Sequence, residues 1–139
     1  MPATADAVAA ALDAVRAAVD KHAADPVILD VADLLGLVDL FVLVTGNNEP
    51  QMKAILEEVE RLLKQDRERR PERREGTVGS GWSLLDYGDI VVHVFNPEQR
   101  AYYDLERLWA DVPRRAADDG EIIESDARPP VVIDVGGEA

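Results

Sequence analysis

Hydrophobic positions near the start of the chain follow a helical spacing. They are four, three and four residues apart, at Val8, Leu12, Val15 and Val19. This spacing predicts a helix over residues 4–24 that is capped by Thr4 or Asp6 and ends before Asp25 and Pro26. The first element of the domain is therefore expected to be amphipathic.

The pattern then changes to short continuous apolar runs. Residues 27–31 form a β-branched run that predicts a strand. Residues 39–45 are apolar at consecutive positions, which is typical of a strand covered on both faces and so predicts a central strand. Residues 34–38 are ambiguous, with Gly36 marking a turn or a bulge.

A second helix is predicted after a turn over residues 46–50. Asn47 or Asn48 is the expected cap and Pro50 lies in the first turn. The buried stripe consists of Met52, Ile55, Leu56, Val59, Leu62 and Leu63. Seven acidic and seven basic residues are mixed over 57–75, which favours a solvated helix end and loop over an RNA-binding patch. Residues 76–81 are expected to be flexible.

A hairpin followed by a helix is predicted for residues 82–112. The segment 82–109 holds six of the seven aromatic residues of the chain, namely Trp82, Tyr87, Phe95, Tyr102, Tyr103 and Trp109. Apolar runs at 83–87 and 90–95 flank Gly88-Asp89, which predicts a hairpin. Asn96-Pro97 is a strong helix start and Pro113 a helix end.

Size and composition predict one cytoplasmic domain. The 139 residues have room for a single core, and the absence of cysteine fits a reducing compartment. The N-terminus has no signal-peptide pattern, and the apolar runs are too short to span a membrane. We expect the domain to occupy residues 1–115. Residues 116–139 form an acidic tail that is expected to be flexible, although residues 130–134 are alternatively an added edge strand.

The net charge of −13 restricts the possible partners. Phosphate backbones repel so acidic a chain, so little direct nucleic-acid binding is expected. Basic protein surfaces would attract such a chain. Alternatively, the negative charge serves only to keep the protein soluble.

The pattern of reactive residues does not predict catalysis. His93 lies within an apolar strand, where a hydrogen-bonded core or edge histidine is favoured over a catalytic one. Asp86 and Asp89 are three residues apart across a turn, so they do not form the pair of acids on one strand face that two-metal chemistry needs. Neither a metal nor a cofactor is predicted.

The aromatic residues predict a partner-binding surface instead. The last helix needs only one apolar stripe to pack on the sheet, and its additional aromatic residues widen that stripe. For any one aromatic residue, a role in the core is equally expected; for the group, we favour an exposed patch. Trp82 is the expected anchor. The predicted site consists of Trp82, Leu84, Asp86, Asp89, Tyr102, Tyr103 and Trp109.

Several motifs resemble the bacterial ribosomal silencing factor family, whose plant organelle relatives are called Iojap. The first half of the similar region carries the strand and turn of residues 39–46, followed by Gln51. The second half carries residues 82–89 and 91–95, and then Arg100, Tyr103, Leu105-Glu106 and Leu108-Trp109. The chain departs from the family pattern at Asn48, at Pro50 and over residues 34–40, which are more apolar than is usual.

The resemblance implies an α/β fold with a mixed, roughly five-stranded sheet flanked by helices. The topology would be similar to that of nucleotidyltransferase domains without their catalytic acids. It also implies binding to the large ribosomal subunit through the ribosomal protein called L-fourteen. The bound protein would block association with the small subunit and repress translation when nutrients are limiting.

Three alternatives remain open at this stage. A role in assembly of the large subunit would use the same surface. An enzyme similar to nucleotidyltransferases is less favoured, because a close pair of acids is not found. Homodimerisation, through the first helix or residues 131–133, is a separate hypothesis.

Overall fold

The computed structural model describes residues 3–123. Within them lie five α-helices, one short 3-10 helix at Val78–Ser80 and seven strands. The helices are α1 (Ala5–Asp20), α2 (Ala32–Leu35), α3 (Glu49–Arg67), α4 (Pro97–Tyr103) and α5 (Leu105–Leu108). The strands are β1 (Ala24–Asp30), β2 (Leu40–Thr45), β3 (Arg73–Thr77), β4 (Trp82–Asp86), β5 (Ile90–Phe95), β6 (Arg114–Arg115) and β7 (Ile122–Ile123).

All of these strands form one mixed sheet in the order β3-β4-β5-β2-β1-β6-β7. Strands β2 and β5 are parallel, and the other neighbouring pairs are antiparallel. The predicted α/β class, the central position of β2 and the β4–β5 hairpin are confirmed. The predicted count of about five strands is wrong, because the described residues contain seven. The likeness to nucleotidyltransferase topology stays a prediction.

Two strand regions were missed because their sequences do not look like strands. All five residues of β3 are exposed and charged or small, so the segment resembles a loop, although its backbone pairs with β4 from Arg73 to Thr77. Strands β6 and β7 are two residues each. Strand β6 lies beside β1 and β7 lies beside β6, and β7 falls inside the segment expected to be a tail. The suggested edge strand at 130–134 lies outside the described residues.

One face of the sheet is covered by α1 and α3. Both helices are capped as predicted, since the Thr4 hydroxyl accepts from the amide of Ala7 and the Asn48 side chain from the amide of Gln51. The predicted apolar stripe of α1 is only partly correct, because Val19 is exposed. The buried face consists mainly of alanines, at Ala7, Ala10, Ala11, Ala14, Ala17 and Ala18. Small side chains let the two helices approach closely.

The opposite face of the sheet is covered by α4 and α5. The sequence predicted a single helix here, but Asp104 has a positive φ of 48° and separates the two. Aspartate tolerates this conformation better than most residues. The break lets the segment bend, so that Leu105 and Trp109 pack with Leu43 and Phe95 in a second core.

Candidate partner-binding site

An aromatic cluster lies on the sheet face that carries α4 and α5. Alternate residues of a strand point to one face, which brings Trp82, His93 and Phe95 together across β4 and β5 and adds Phe41 from β2. The Trp82 ring stacks on Phe95 with centroids 5.0 Å apart, and Phe41 meets His93 edge-on at 5.0 Å. Three adjacent strands thus contribute to one continuous ring surface.

Trp82 and His93 are joined by a hydrogen bond. The indole Nε1 of Trp82 donates to Nδ1 of His93 at 3.1 Å. Indole nitrogen is only a donor, so the histidine must accept and is neutral, with its proton on Nε2. Burial lowers the pKa of His93 to about 4. The prediction of a hydrogen-bonded core histidine is confirmed.

Helices α4 and α5 add the outer rings of the cluster. The centroid of the Tyr103 ring lies 4.4 Å from that of Trp82, and the Trp109 ring meets Phe41 edge-on at 5.8 Å. Tyr102 contacts Tyr103 and is 77% exposed, whereas Trp82 and Trp109 are half-buried. The tryptophans therefore belong to the packed layer, and the tyrosines present the accessible surface.

Arg100 fixes this outer layer, a role that sequence reasoning missed. Its guanidinium donates to the Thr45 hydroxyl at 2.8 Å, to the Asp25 carbonyl at 2.8 Å and to both carboxylate oxygens of Glu106 at 3.1 and 3.0 Å. The side chain thus joins the ends of β1 and β2 to α5, across the break at Asp104. Its position in the family motif was the available signal.

Gln51, another residue of the family motif, has a structural role. Its side-chain oxygen accepts from the amide of Asn47 at 2.6 Å, and its nitrogen donates to the carbonyls of Lys21 and His22 at 3.1 and 2.9 Å. These bonds join the start of α3 to the connection between α1 and β1.

A pocket of about 260 Å³ opens beside Trp82 at the end of the hairpin away from its turn. It is lined by Glu75, Gly76, Ser80, Trp82, Leu84 and Tyr103. The segment expected to be flexible is a hydrogen-bonded turn here, because the Thr77 hydroxyl and the Ser80 side chain cap one another. Three residues of the predicted site, Trp82, Leu84 and Tyr103, therefore meet at one ordered pocket.

The two predicted acids lie towards the hairpin turn and are already paired. Asp86 binds Arg73 at 2.8 Å, and Asp89 binds Arg69 at 2.5 Å. Burial acts to raise the pKa of Asp86, but hydrogen bonds from Arg73 and the Gly88 amide outweigh it and lower that pKa. Their charges are therefore partly neutralised within the protein.

The described residues offer neither a metal-binding group nor a membrane-spanning helix. Within residues 3–123, histidine and carboxylate side chains are not grouped so that they would hold a metal ion. Among the same residues, the helices are too short or too polar to cross a membrane.

Fold and site together define a single-domain α/β protein in which two short helices and an aromatic cluster cover one face of a mixed sheet. Residues 4–131 match the family model described as "Ribosomal silencing factor during starvation". The chain belongs to this family, so the resemblance is confirmed.

Individual relatives agree with this assignment. The chain is 41% identical to the ribosomal silencing factor RsfS of Halalkalibacterium halodurans over 100 residues, which cover 72% of this chain and 85% of that protein. It is 28% identical to the mouse protein "Mitochondrial assembly of ribosomal large subunit protein 1", over 64% of this chain and 40% of that one. A crystal structure from Chromobacterium violaceum superposes with a TM-score of 0.66 at 36% identity, covering 70% of this chain and 81% of that chain.

Proposed function

We propose that this protein binds the large ribosomal subunit and prevents it from joining the small subunit. The observation that carries the proposal is the aromatic cluster with its pocket, present in a chain of the ribosomal silencing factor family. The mechanism is steric. A rigid domain bound at the joining surface excludes the small subunit, and no bond is made or broken.

The pocket beside Trp82 suits a basic side chain of the partner. Trp82, Leu84 and Tyr103 supply an apolar lining, and the exposed carboxylate of Glu75 lies at the rim. A lysine or arginine would lay its stem along the rings and bring its charge to Glu75. Ribosomal protein L-fourteen is the partner that we propose for this contact.

The net charge and the apolar contacts contribute to different steps of binding. The net charge of −13 draws the protein towards a basic surface and increases the association rate. The tyrosines and the pocket supply the desolvated contacts that slow dissociation. Asp86 and Asp89 are paired with arginines of the protein itself. We therefore propose that they help to orient the bound partner and contribute little to the affinity.

A pelleting assay with purified large subunits tests this proposal. The parent protein should sediment with the particle, and Glu75→Lys should weaken this binding about tenfold, since it places a like charge against a basic partner. Glu57→Lys, an equal charge change on an exposed residue of α3 on the other face of the sheet, is the matched control. Equal binding by the two variants would contradict the proposed contact.

A role in large-subunit assembly is a second candidate, favoured by the name of the mouse relative. It would use the same surface and differ in timing. Protein bound to incomplete large particles in growing cells, and absent from mature subunits, would favour assembly over silencing.

Homodimerisation through α1 is a further proposal. It is less favoured because most of the apolar surface of α1 is already covered within the protein. Val8 and Leu12 are half-buried, next to Gly120, which leaves Val19 as the exposed apolar residue of the predicted stripe. Sedimentation at about ten micromolar, where a moderately strong dimer would form, tests the idea. A monomeric mass would contradict it.

A further inference from the structure

A cluster of three leucines at one end of the sheet is left uncovered by the described residues. Leu34 and Leu35 lie on α2 and Leu37 follows it, with 63%, 40% and 88% of their surfaces exposed. The cluster is far from the pocket beside Trp82, because α2 follows the end of β1 that adjoins the start of β2. We call these three residues the leucine cluster.

The chain leaves the described structure in the direction of this cluster. In register, Leu29 of β1 lies beside Arg114 of β6, which lies beside Ile123 of β7. Both neighbouring pairs are antiparallel, so β7 runs in the same direction as β1. Since β1 continues directly into α2, the C-terminal end of β7 faces the end of the sheet that carries the leucine cluster.

The length of the remaining chain is sufficient. Two strand spacings, about 10 Å, separate β7 from β1. Residues 124–139 follow Ile123, and the first apolar residue of the run 131–133 is eight positions on (131 minus 123). Eight residues span at most about 28 Å, so this run can reach α2 without strain.

The sequence of this segment has the pattern that the cluster needs. Val131, Ile133 and Val135 alternate with Val132 and Asp134. In an extended chain the three odd positions would point to one side, with Val132 and Asp134 on the other. One wholly apolar side, and a second side that carries a charge, suit a strand-like segment lying on an apolar surface next to water.

We propose that residues 131–135 dock on the leucine cluster of their own chain and cover it. A second copy is the less suitable occupant. Two chains of net charge −13 repel each other, and three leucines are far smaller than the roughly 800 Å² per partner of a standard interface. The proposal concerns a surface other than the pocket and does not depend on the proposed function.

Cysteine cross-linking in the full chain tests this docking, since the parent has no cysteine. A protein carrying Leu37→Cys and Ile133→Cys should form an intrachain disulfide under mild oxidation. The control pairs Ile133→Cys with Thr77→Cys, an exposed position on β3 at the other edge of the sheet. We expect the first pair to close about tenfold faster, as expected for a raised effective concentration.

A third substitution checks that the apolar contact is responsible. Adding Val131→Asp to the first pair should reduce its rate to that of the control. Equal rates for the two cysteine pairs would overturn the proposal, as would a rate unaffected by Val131→Asp. Disulfide-linked dimers as the main product would also overturn it and would assign the leucine cluster to a second copy.

Discussion

The indole nitrogen of Trp82 donates a 3.1 Å hydrogen bond to Nδ1 of His93, which fixes the histidine in its neutral form. Protonation would place two donors against each other in a buried site. The bond therefore couples the packing of the aromatic cluster to pH, with a direction that follows from the lowered pKa of His93.

Stability should fall as the pH drops from 6.5 to 4 because of His93. Below pH 6.5 the unfolded chain takes up a proton that the folded chain refuses until about pH 4, so the unfolded state is favoured. Between pH 7 and 4.5 this contribution is on the order of 2–3 kcal/mol. In His93→Gln, the free energy of unfolding measured in urea should therefore fall less between pH 7 and 4.5 than it does in the parent protein, by this amount.

His22 provides the matched control for that experiment. It is exposed after the end of α1, so His22→Gln makes the same substitution at a surface position away from the aromatic cluster. A His93→Gln protein that loses as much stability on acidification as the parent would contradict the assigned role of His93.

Tyr102→Ala should separate binding from stability. Because the Tyr102 ring is 77% exposed, the free energy of unfolding should change by less than about 0.5 kcal/mol. Affinity for the large subunit should fall about tenfold if Tyr102 is an interface anchor. Pelleting and urea unfolding measure the two effects. Val19→Ala, an exposed apolar change on α1, should alter neither.

Trp82→Ala should affect both quantities. The sequence predicts Trp82 as the anchor of an exposed patch, so its removal should lower the affinity for the large subunit more than tenfold. In the structure its ring stacks on Phe95 and holds His93, so its removal should also cost about 2–4 kcal/mol of stability. Unchanged binding to purified large subunits would remove Trp82 from the site, and unchanged unfolding would contradict its packing on Phe95 and His93.

Arg100→Lys should be nearly as harmful as Arg100→Ala. An ammonium cannot make the two parallel bonds to Glu106 while also reaching Thr45 and the Asp25 carbonyl. Each variant should lose about 2–3 kcal/mol in urea unfolding.

The ion pair of Arg61 with Glu58 on the surface of α3 is the comparison. The Arg61 side chain is more than half exposed, so Arg61→Ala should lower the free energy of unfolding much less than Arg100→Ala does. Equal losses at Arg61 and Arg100 would show that Arg100 does not hold α4 and α5 in place.

Gly76→Ala should destabilise the protein more than Gly36→Ala. Both glycines have a positive φ, near 75°, so both substitutions strain the backbone by about 1 kcal/mol. At Gly76 the added Cβ would also lie 2.1 Å from the Trp82 carbonyl oxygen, whereas Gly36 faces open space. Thermal unfolding should show the larger loss for Gly76→Ala; similar losses would contradict this packing.

Sequence patterns predicted the elements that are defined by buried side chains. The continuous apolar residues of β2 predicted a central strand, and Asn48 and Asn96 predicted two helix starts. Strand β3 was missed because backbone pairing with β4 holds it while all of its residues are exposed. Patterns of hydrophobicity report burial, and they do not report an edge strand of this kind.

The candidate site was predicted only in part, for a related reason. The aromatic residues of 82–109 showed where the cluster lies, but not which rings are covered. Arg100 was not predicted as a support, because its contacts with Thr45 and Asp25 join residues 55 and 75 positions apart. The pairing of Asp89 with Arg69 likewise depends on the fold.

Subunit joining, measured on a sucrose gradient, tests the proposed function most directly. Purified large and small subunits are mixed under joining conditions after the large subunits are saturated with the protein. We predict that the protein migrates with the large subunit and that the peak of joined ribosomes is depleted, with Tyr102→Ala much less effective. Joined ribosomes forming at the normal level on saturated large subunits would contradict a steric block.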